Sequence, residues 1–201
     1  MFLFLDVASP IPEFYLIKDK NIIVSLKIIE NIDEKLSDNI IPKYLKINEK
    51  YNLNEKITKL IITIGPGSYT ALRVGASFIA GLSQSMGLPA ATISTENMYK
   101  FLYNRNMNSG IYFQSSNNQN FLTFKIDEKF VHQKVENNNF IYPEHITNLF
   151  YNFTFSNLKN LNLLSESFSV QDVVLSNINN LEFAKNIIIK PIYISNNIIL
   201  N

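Results

Sequence analysis

Residues 60–87 read LIITIGPGSYTALRVGASFIAGLSQSMG, and this stretch constrains the chain more than any other. The whole sequence holds six glycines, and five of them (Gly65, Gly67, Gly75, Gly81 and Gly87) lie here. An apolar run at 59–64 suits a buried parallel strand. A Gly-Pro-Gly turn follows it, and a helix is predicted over 69–86, ending at Gly87 as a left-handed C-cap. Glycine inside a soluble helix costs about 1 kcal/mol against alanine. Ser77, Gly81 and Ser85 recur every four residues and so share one side of that helix. With Val74, Phe78 and Leu82 covering the sheet, the small side is expected to receive a second helix, from this chain or from a partner.

The rest of the first half fits around this unit. Short apolar runs at 2–7, 13–18 and 22–29 read as a three-strand meander. A helix follows at 37–51, with Ser37 as cap, Pro42 in or near its first turn, and Ile40, Ile41, Tyr44, Leu45 and Ile47 at near-helical spacing. PAATIS is a short strand, and STENMYKFLYNR a helix capped by Ser94 or Thr95. The second half reads as another meander near 110–135, a helix at 142–153 and a closing strand at 186–195. The fold class is therefore α/β, with a loosely repeated unit of meander followed by helices. That division places one lobe at 1–103 and a shortened second lobe at 104–201.

The formal net charge of +1 over 201 residues asks for no direct nucleic-acid or anionic membrane partner. No apolar run approaches the roughly 18 residues of a membrane span. The absence of cysteine removes disulfides, zinc thiolates and cysteine nucleophiles, and fits a cytoplasmic setting.

A strand, a glycine turn and a helix N-terminus together can expose N–H groups to an anion. Asp6, Gly65, Gly67, Ser68, Thr70 and Arg73 are the candidate anion or nucleotide residues. Gly67 is expected to need a backbone conformation closed to other residues. Each also has a plain structural reading: Asp6 as a turn cap, Arg73 as a tie from loop to helix. The P-loop, the dinucleotide fingerprint and the nucleophile elbow all fail on spacing. From residue 88 onward there is one glycine, Gly110, so a second phosphate turn is hard to build. The histidines, His132 and His145, form no metal-binding pair and are expected at the surface. No Ser/His/Asp set is legible.

IGPGSYTALRVGASFIAGLS resembles the GPGSFTGLRIG segment of the TsaB (YeaZ) family. FLFLDVAS resembles the family's opening ILALDTAT. LSDNIIP at 36–42 resembles its HTQxLLP, and KPIYISNN at 190–197 its closing PxYLRNN. The resemblance implies two ribonuclease-H-like lobes of the actin-like (ASKHA) type, each a mixed sheet with flanking helices. It also implies a non-catalytic scaffold for a TsaD-type transferase, which forms threonylcarbamoyladenosine (t6A) in tRNA beside a TsaE-type ATPase. A second copy of the chain is the other partner implied. ATP and metal are expected on the partner subunits, with no cofactor here, and tRNA is met only through the complex. The first two helices would form the interface, assigning Ser77, Gly81, Ser85, Ile40 and Tyr44 to it. Departures from the family pattern are Ala71 for its glycine, Leu36 for its histidine and Ser195 for its arginine. The alternative is a nucleotide-binding or nucleotide-hydrolysing enzyme of the same fold.

Overall fold

A computed structural model describes residues 1–31, 33–102, 108–135, 143–153, 163–194 and 199–200. The first half folds as the sequence reading expects. Strands β1 (Phe2–Asp6), β2 (Glu13–Lys18) and β3 (Asn21–Lys27) form an antiparallel meander. Helices α1 (Leu36–Tyr51) and α2 (Leu53–Lys56) lead to β4 (Lys59–Gly65), which lies parallel to β1. Helix α3 (Tyr69–Met86) returns to β5 (Ala90–Ser94), parallel to β4. The sheet order is β3-β2-β1-β4-β5. Helix α4 (Thr95–Leu102) then leads to the second sheet, and its start carries a reciprocal cap. Asn97 N–H donates to Ser94 Oγ at 3.3 Å, and Ser94 N–H donates to Asn97 Oδ1 at 2.9 Å.

The second sheet contains β6 (Ser109–Gln114), β7 (Asn120–Ile126), β8 (Lys129–Val135), β9 (Asn148–Tyr151), β10 (Leu164–Ser167) and, after helix α5 (Val170–Ser176), β11 (Ile199–Leu200). Its order is β10-β9-β6-β7-β8-β11. The β6–β7–β8 meander is antiparallel as read. The helix expected over 142–153 is instead strand β9 within its described part, parallel to both β6 and β10. Leu149, Phe150 and Tyr151 suit a pleated surface, and a place between two strands outweighs their helical spacing. The closing strand expected over 186–195 does not form among 186–194; Ser195 lies outside the described residues. Pro191 has no N–H to give a ladder, and Ile192 N–H alone reaches β4, at Ile64 O, 2.8 Å. Helix α1 starts one residue before Ser37, after Lys35, with no side-chain cap, and Pro42 lies two turns inside it.

One apolar core runs through both lobes: Phe4, Ile61 and Ile93 of the first sheet share it with Ile111 and Phe113 of the second and Val170, Val173 and Val174 of α5. On the other face of the first sheet, Phe14 meets Phe78 and Tyr44 with ring centroids 5.7 and 6.4 Å apart. Helix α3 lies on that face, but not by the side expected. Leu72, Gly75, Ala76, Ile79 and Ser83 are buried, whereas Val74, Phe78 and Leu82 are half-buried, with Phe78 in the seam against Tyr44 of α1. A smaller cluster of Tyr112, Leu122, Phe124 and Val131 lies on the second sheet.

The two helical glycines of α3 differ in kind. A Cβ on Gly75 would sit 2.8 Å from both methyls of Val7, while a Cβ on Gly81 would meet nothing within 4 Å. The same substitution should therefore have opposite signs. Gly75→Ala is expected to destabilise by about 1–3 kcal/mol through overpacking. Gly81→Ala is expected to stabilise by up to about 1 kcal/mol through helix propensity. Urea unfolding of both variants checks this, and equal signs would refute the assignment of the two faces.

Candidate functional site

The residues of the Gly-Pro-Gly site divide into an inner and an outer group. The inner group starts at the end of β1. Asp6 is 2% exposed. Its Oδ1 accepts from Ala8 N–H at 3.1 Å, Ser9 N–H at 3.2 Å and the Thr63 hydroxyl at 2.8 Å. Thr63 Oγ1 in turn accepts from Val7 N–H at 2.9 Å and Ala8 N–H at 3.1 Å. The carboxyl thus caps the chain's turn out of β1 and ties it to β4. Burial pushes its pKa above the ordinary value of 3.8, against the pull of these hydrogen bonds.

The conformational demand falls on Gly65 rather than Gly67. Gly65 has φ +102°, a region that residues with a side chain rarely adopt. Gly67 is held to glycine by space: a Cβ there would lie 2.9 Å from Ser115 Oγ and 3.4 Å from Ala8. Ser68 N–H, just before α3, donates to that same Ser115 Oγ at 2.9 Å in a buried bond. A Cβ on Gly65 would lie 3.1 Å from Ile192 O. Ser115, after β6 of the second sheet, thus closes one side of the turn, and the segment at Ile192 closes another. Ser115 was not singled out in the sequence, because nothing local marks a serine 47 residues away as the partner of this turn.

Beside Asp6 lies a cleft of about 270 Å³, lined by Glu13 and Tyr15 on one side and Asn152, Phe168 and Ser169 on the other. Burial raises the pKa of the Tyr15 hydroxyl, and the hydrogen bond it donates to Glu13 raises it further. Two carboxyl groups on this wall disfavour a phosphate there.

The outer group faces elsewhere. Thr70 and Arg73 are exposed. Arg73 donates from Nη1 to the Tyr69 hydroxyl at 3.0 Å and lies over that ring. Tyr69 in turn meets Tyr193, ring centroids 4.6 Å apart. Arg73 is therefore part of an aromatic cluster outside the turn. It borders a groove of about 560 Å³ between α1 and α3, with Ile41, Val74 and Ser77.

On α1, Ile40 and Tyr44 turn inward and are buried in the monomer, so they do not hold its outer surface. Tyr44 makes the ring contacts described above, and its hydroxyl donates to Asn54 Oδ1 at 2.9 Å. The outer face carries Ile41 and Leu45, each 55% exposed. On α3, Ser77, Gly81 and Ser85 are all exposed.

His132 corrects the surface expectation, since it is 1% exposed, while His145 is exposed. His132 Nε2 lies 2.8 Å from Glu96 Oε1, and Nδ1 lies 2.9 Å from Thr123 Oγ1. A carboxylate only accepts, which puts the ring proton on Nε2 and lets Thr123 donate to Nδ1. Thr95 Oγ1 lies 2.8 Å further along. The hydroxyl–imidazole–carboxylate order is that of a nucleophilic triad. Both threonines are completely buried, so the set serves as a tie between α4 and the second sheet. Among the described residues no group of three or more His, Asp or Glu side chains could hold a metal ion, and no helix is long and apolar enough to cross a membrane.

Two mixed sheets sharing one core, with helices on the outer face of the first and α4 and α5 packed into the core, define a two-lobed α/β protein of the actin-like class. Residues 30–111 match the family TsaD, tRNA N6-adenosine threonylcarbamoyltransferase. Two solved structures share the fold across nearly the whole chain. One is an uncharacterized protein with similarity to peptidase YeaZ from Pseudomonas aeruginosa, at TM-score 0.62 and 12% identity, covering 96% of this chain and 98% of that one. The other is YeaZ from Pseudomonas aeruginosa, at TM-score 0.62 and 12% identity, covering 96% and 99%. No curated protein sequence matches the chain. The segment match and the shared fold bear out the TsaB (YeaZ) resemblance read from the glycine-rich stretch.

Asp6 supplies the prediction for this site. A buried carboxyl with a raised pKa contributes its stability below the ordinary carboxyl value and loses it as pH rises through the raised one. Asp6→Asn keeps the Oδ1 acceptor and removes the buried charge. It is expected to match the native protein in acid and to equal or exceed its stability at neutral pH. Asp6→Ala leaves Ala8 N–H, Ser9 N–H and the Thr63 hydroxyl without this acceptor, and is expected to cost about 1–3 kcal/mol. Denaturant unfolding at several pH values checks both, and a large neutral-pH loss in Asp6→Asn would show that the charge itself is required.

Proposed function

We propose that this chain is a non-catalytic scaffold subunit that pairs with a TsaD-type threonylcarbamoyl transferase in t6A modification of tRNA. The observation that carries the reading is the outer surface of α1 and α3. Ile41 and Leu45 stand exposed on α1 beside the exposed Ser77–Gly81–Ser85 side of α3. Apolar side chains beside a strip of small residues suit a partner helix, because small residues let two backbones approach. A Cβ on Gly81 would meet nothing within 4 Å, so packing inside this chain gives no reason for glycine there. A second copy of the chain would compete for the same surface. ATP and metal belong to the partners in this reading, including a TsaE-type ATPase, and tRNA is met only through the assembled complex.

The alternative, a nucleotide-hydrolysing enzyme, finds less support. The Ser68 N–H that an anion would use is already bonded to Ser115, and Asp6 and Glu13 border the adjacent cleft. The purified chain is expected to show no appreciable ATP hydrolysis. Turnover abolished by Asp6→Ala would favour the enzyme instead.

The partner reading is tested by measuring melting temperature and TsaD-type subunit affinity together. Gly81→Leu adds a side chain to an open position, and Ile41→Asp replaces an exposed one, so each should change monomer stability little. At the interface, overpacking or an unpaired charge should weaken association by about ten- to a hundred-fold, each 1.4 kcal/mol being tenfold. Folded variants with unchanged affinity would remove this surface from the interface.

A further inference from the structure

The first sheet ends at β3, and this edge differs from the opposite one. At β5 the chain covers its own edge: Ala90 and Ala184 exchange two backbone hydrogen bonds, at 3.0 and 3.1 Å. At β3 no strand among the described residues pairs with the outer side, over all seven residues from Asn21 to Lys27. Ile22, Val24 and Leu26 pack against the core, while Ile23, Ser25 and Lys27 are exposed. An edge of this kind offers unpaired N–H and C=O groups to an incoming strand.

The edge borders a groove of about 370 Å³ shared with α1. Residues 23–26 form its strand side, with Val24 and Leu26 on the face toward α1, and Ile47 and Tyr51 form its apolar wall. Lys46 and Lys50 stand one turn apart on the α1 rim, both exposed. Among the described residues neither has a carboxylate within salt-bridge distance, unlike Lys43 of the same helix, which pairs with Glu30. Lys50 lies over the Tyr51 ring, 5.2 Å from its centroid. Lys20 and Lys27 mark the two ends of the strand, against Asp19 at the turn and Glu49 on the helix. A strand laid along β3 would point alternate side chains toward α1. Acidic side chains on that side would reach the two lysines, with their methylenes over Ile47 and Tyr51.

We propose that the β3 edge is a strand-addition site for an acidic, extended segment of a partner protein. Main-chain hydrogen bonds would supply affinity there, and the lysine pair the preference for carboxylates. This surface lies on the far side of α1 from the α3 groove, and the inference does not depend on the scaffold reading.

The test uses the full chain and two blocked hexapeptides, one alternating Glu and Val and one alternating Lys and Val, followed by fluorescence polarisation and by hydrogen exchange on the protein. The acidic peptide is expected to bind at least about tenfold tighter than the basic one and to slow exchange at the Asn21–Lys27 amides. The folded double variant Lys46→Glu, Lys50→Glu should reverse that preference. Failure of the acidic peptide to bind, protection confined to other strands or to the α1–α3 groove, or an unreversed preference in the variant would each overturn the proposal.

Discussion

The architecture depends on how closely α3 approaches the turn that leaves β1. Gly75 lets the methyls of Val7 reach the helix backbone, and Gly67 lets Ala8 and Ser115 reach the turn before it. Three chain segments distant in sequence therefore meet around Gly67: the end of β1, the turn after β4 and the turn after β6. Close packing transmits any added atom into these neighbours, because protein interiors leave no free volume to absorb it. The glycine concentration in an otherwise glycine-poor chain follows from this junction. Four of the five have a geometric reason within the monomer: Gly65 and Gly87 take positive φ, and Gly67 and Gly75 give way to neighbours. Gly81 has none.

Around that junction the polar groups are bound to one another. Asp6 and Thr63 together satisfy three backbone N–H groups of the turn after β1. Ser115 satisfies Ser68 N–H across the two lobes. His132, Thr123, Thr95 and Glu96 do the same between α4 and the second sheet. Each would be costly to leave unpaired in a buried setting, so each pins its segments in one arrangement. The shared apolar core supplies the non-directional part of the attraction between lobes.

These ties also bear on chemistry. A hydroxyl, an imidazole and a carboxylate in sequence could activate a nucleophile, but a nucleophile must reach its substrate. Thr123 is sealed inside the core. The turn that could have cradled a phosphate holds a serine hydroxyl, and its neighbouring cleft is walled by acids. On the exterior, Ile41 and Leu45 stand exposed on α1, and no strand among the described residues pairs with the outer side of β3.

Local patterns were enough to read the first lobe. The apolar runs of β1 to β4, the Gly87 cap of α3 and the Ser94–Asn97 start of α4 depend on residues a few positions apart, and all formed where the sequence placed them. The glycine-rich stretch also carried the family resemblance, and Asp6 could be weighed as a turn cap from its place after a strand. The second lobe was less legible because its segments are defined by their neighbours. Leu149, Phe150 and Tyr151 become strand only because β6 and β10 lie on either side. Which side of an amphipathic helix faces inward also escaped the sequence, so Ile40 and Tyr44 are buried while Ile41 and Leu45 are exposed. Helical spacing fixes which residues share a side, but only the partner element decides which side is covered. The contacts of Ser115 with Gly67 and of His132 with Glu96 span 48 and 36 positions, and no local rule links such residues before the chain has folded.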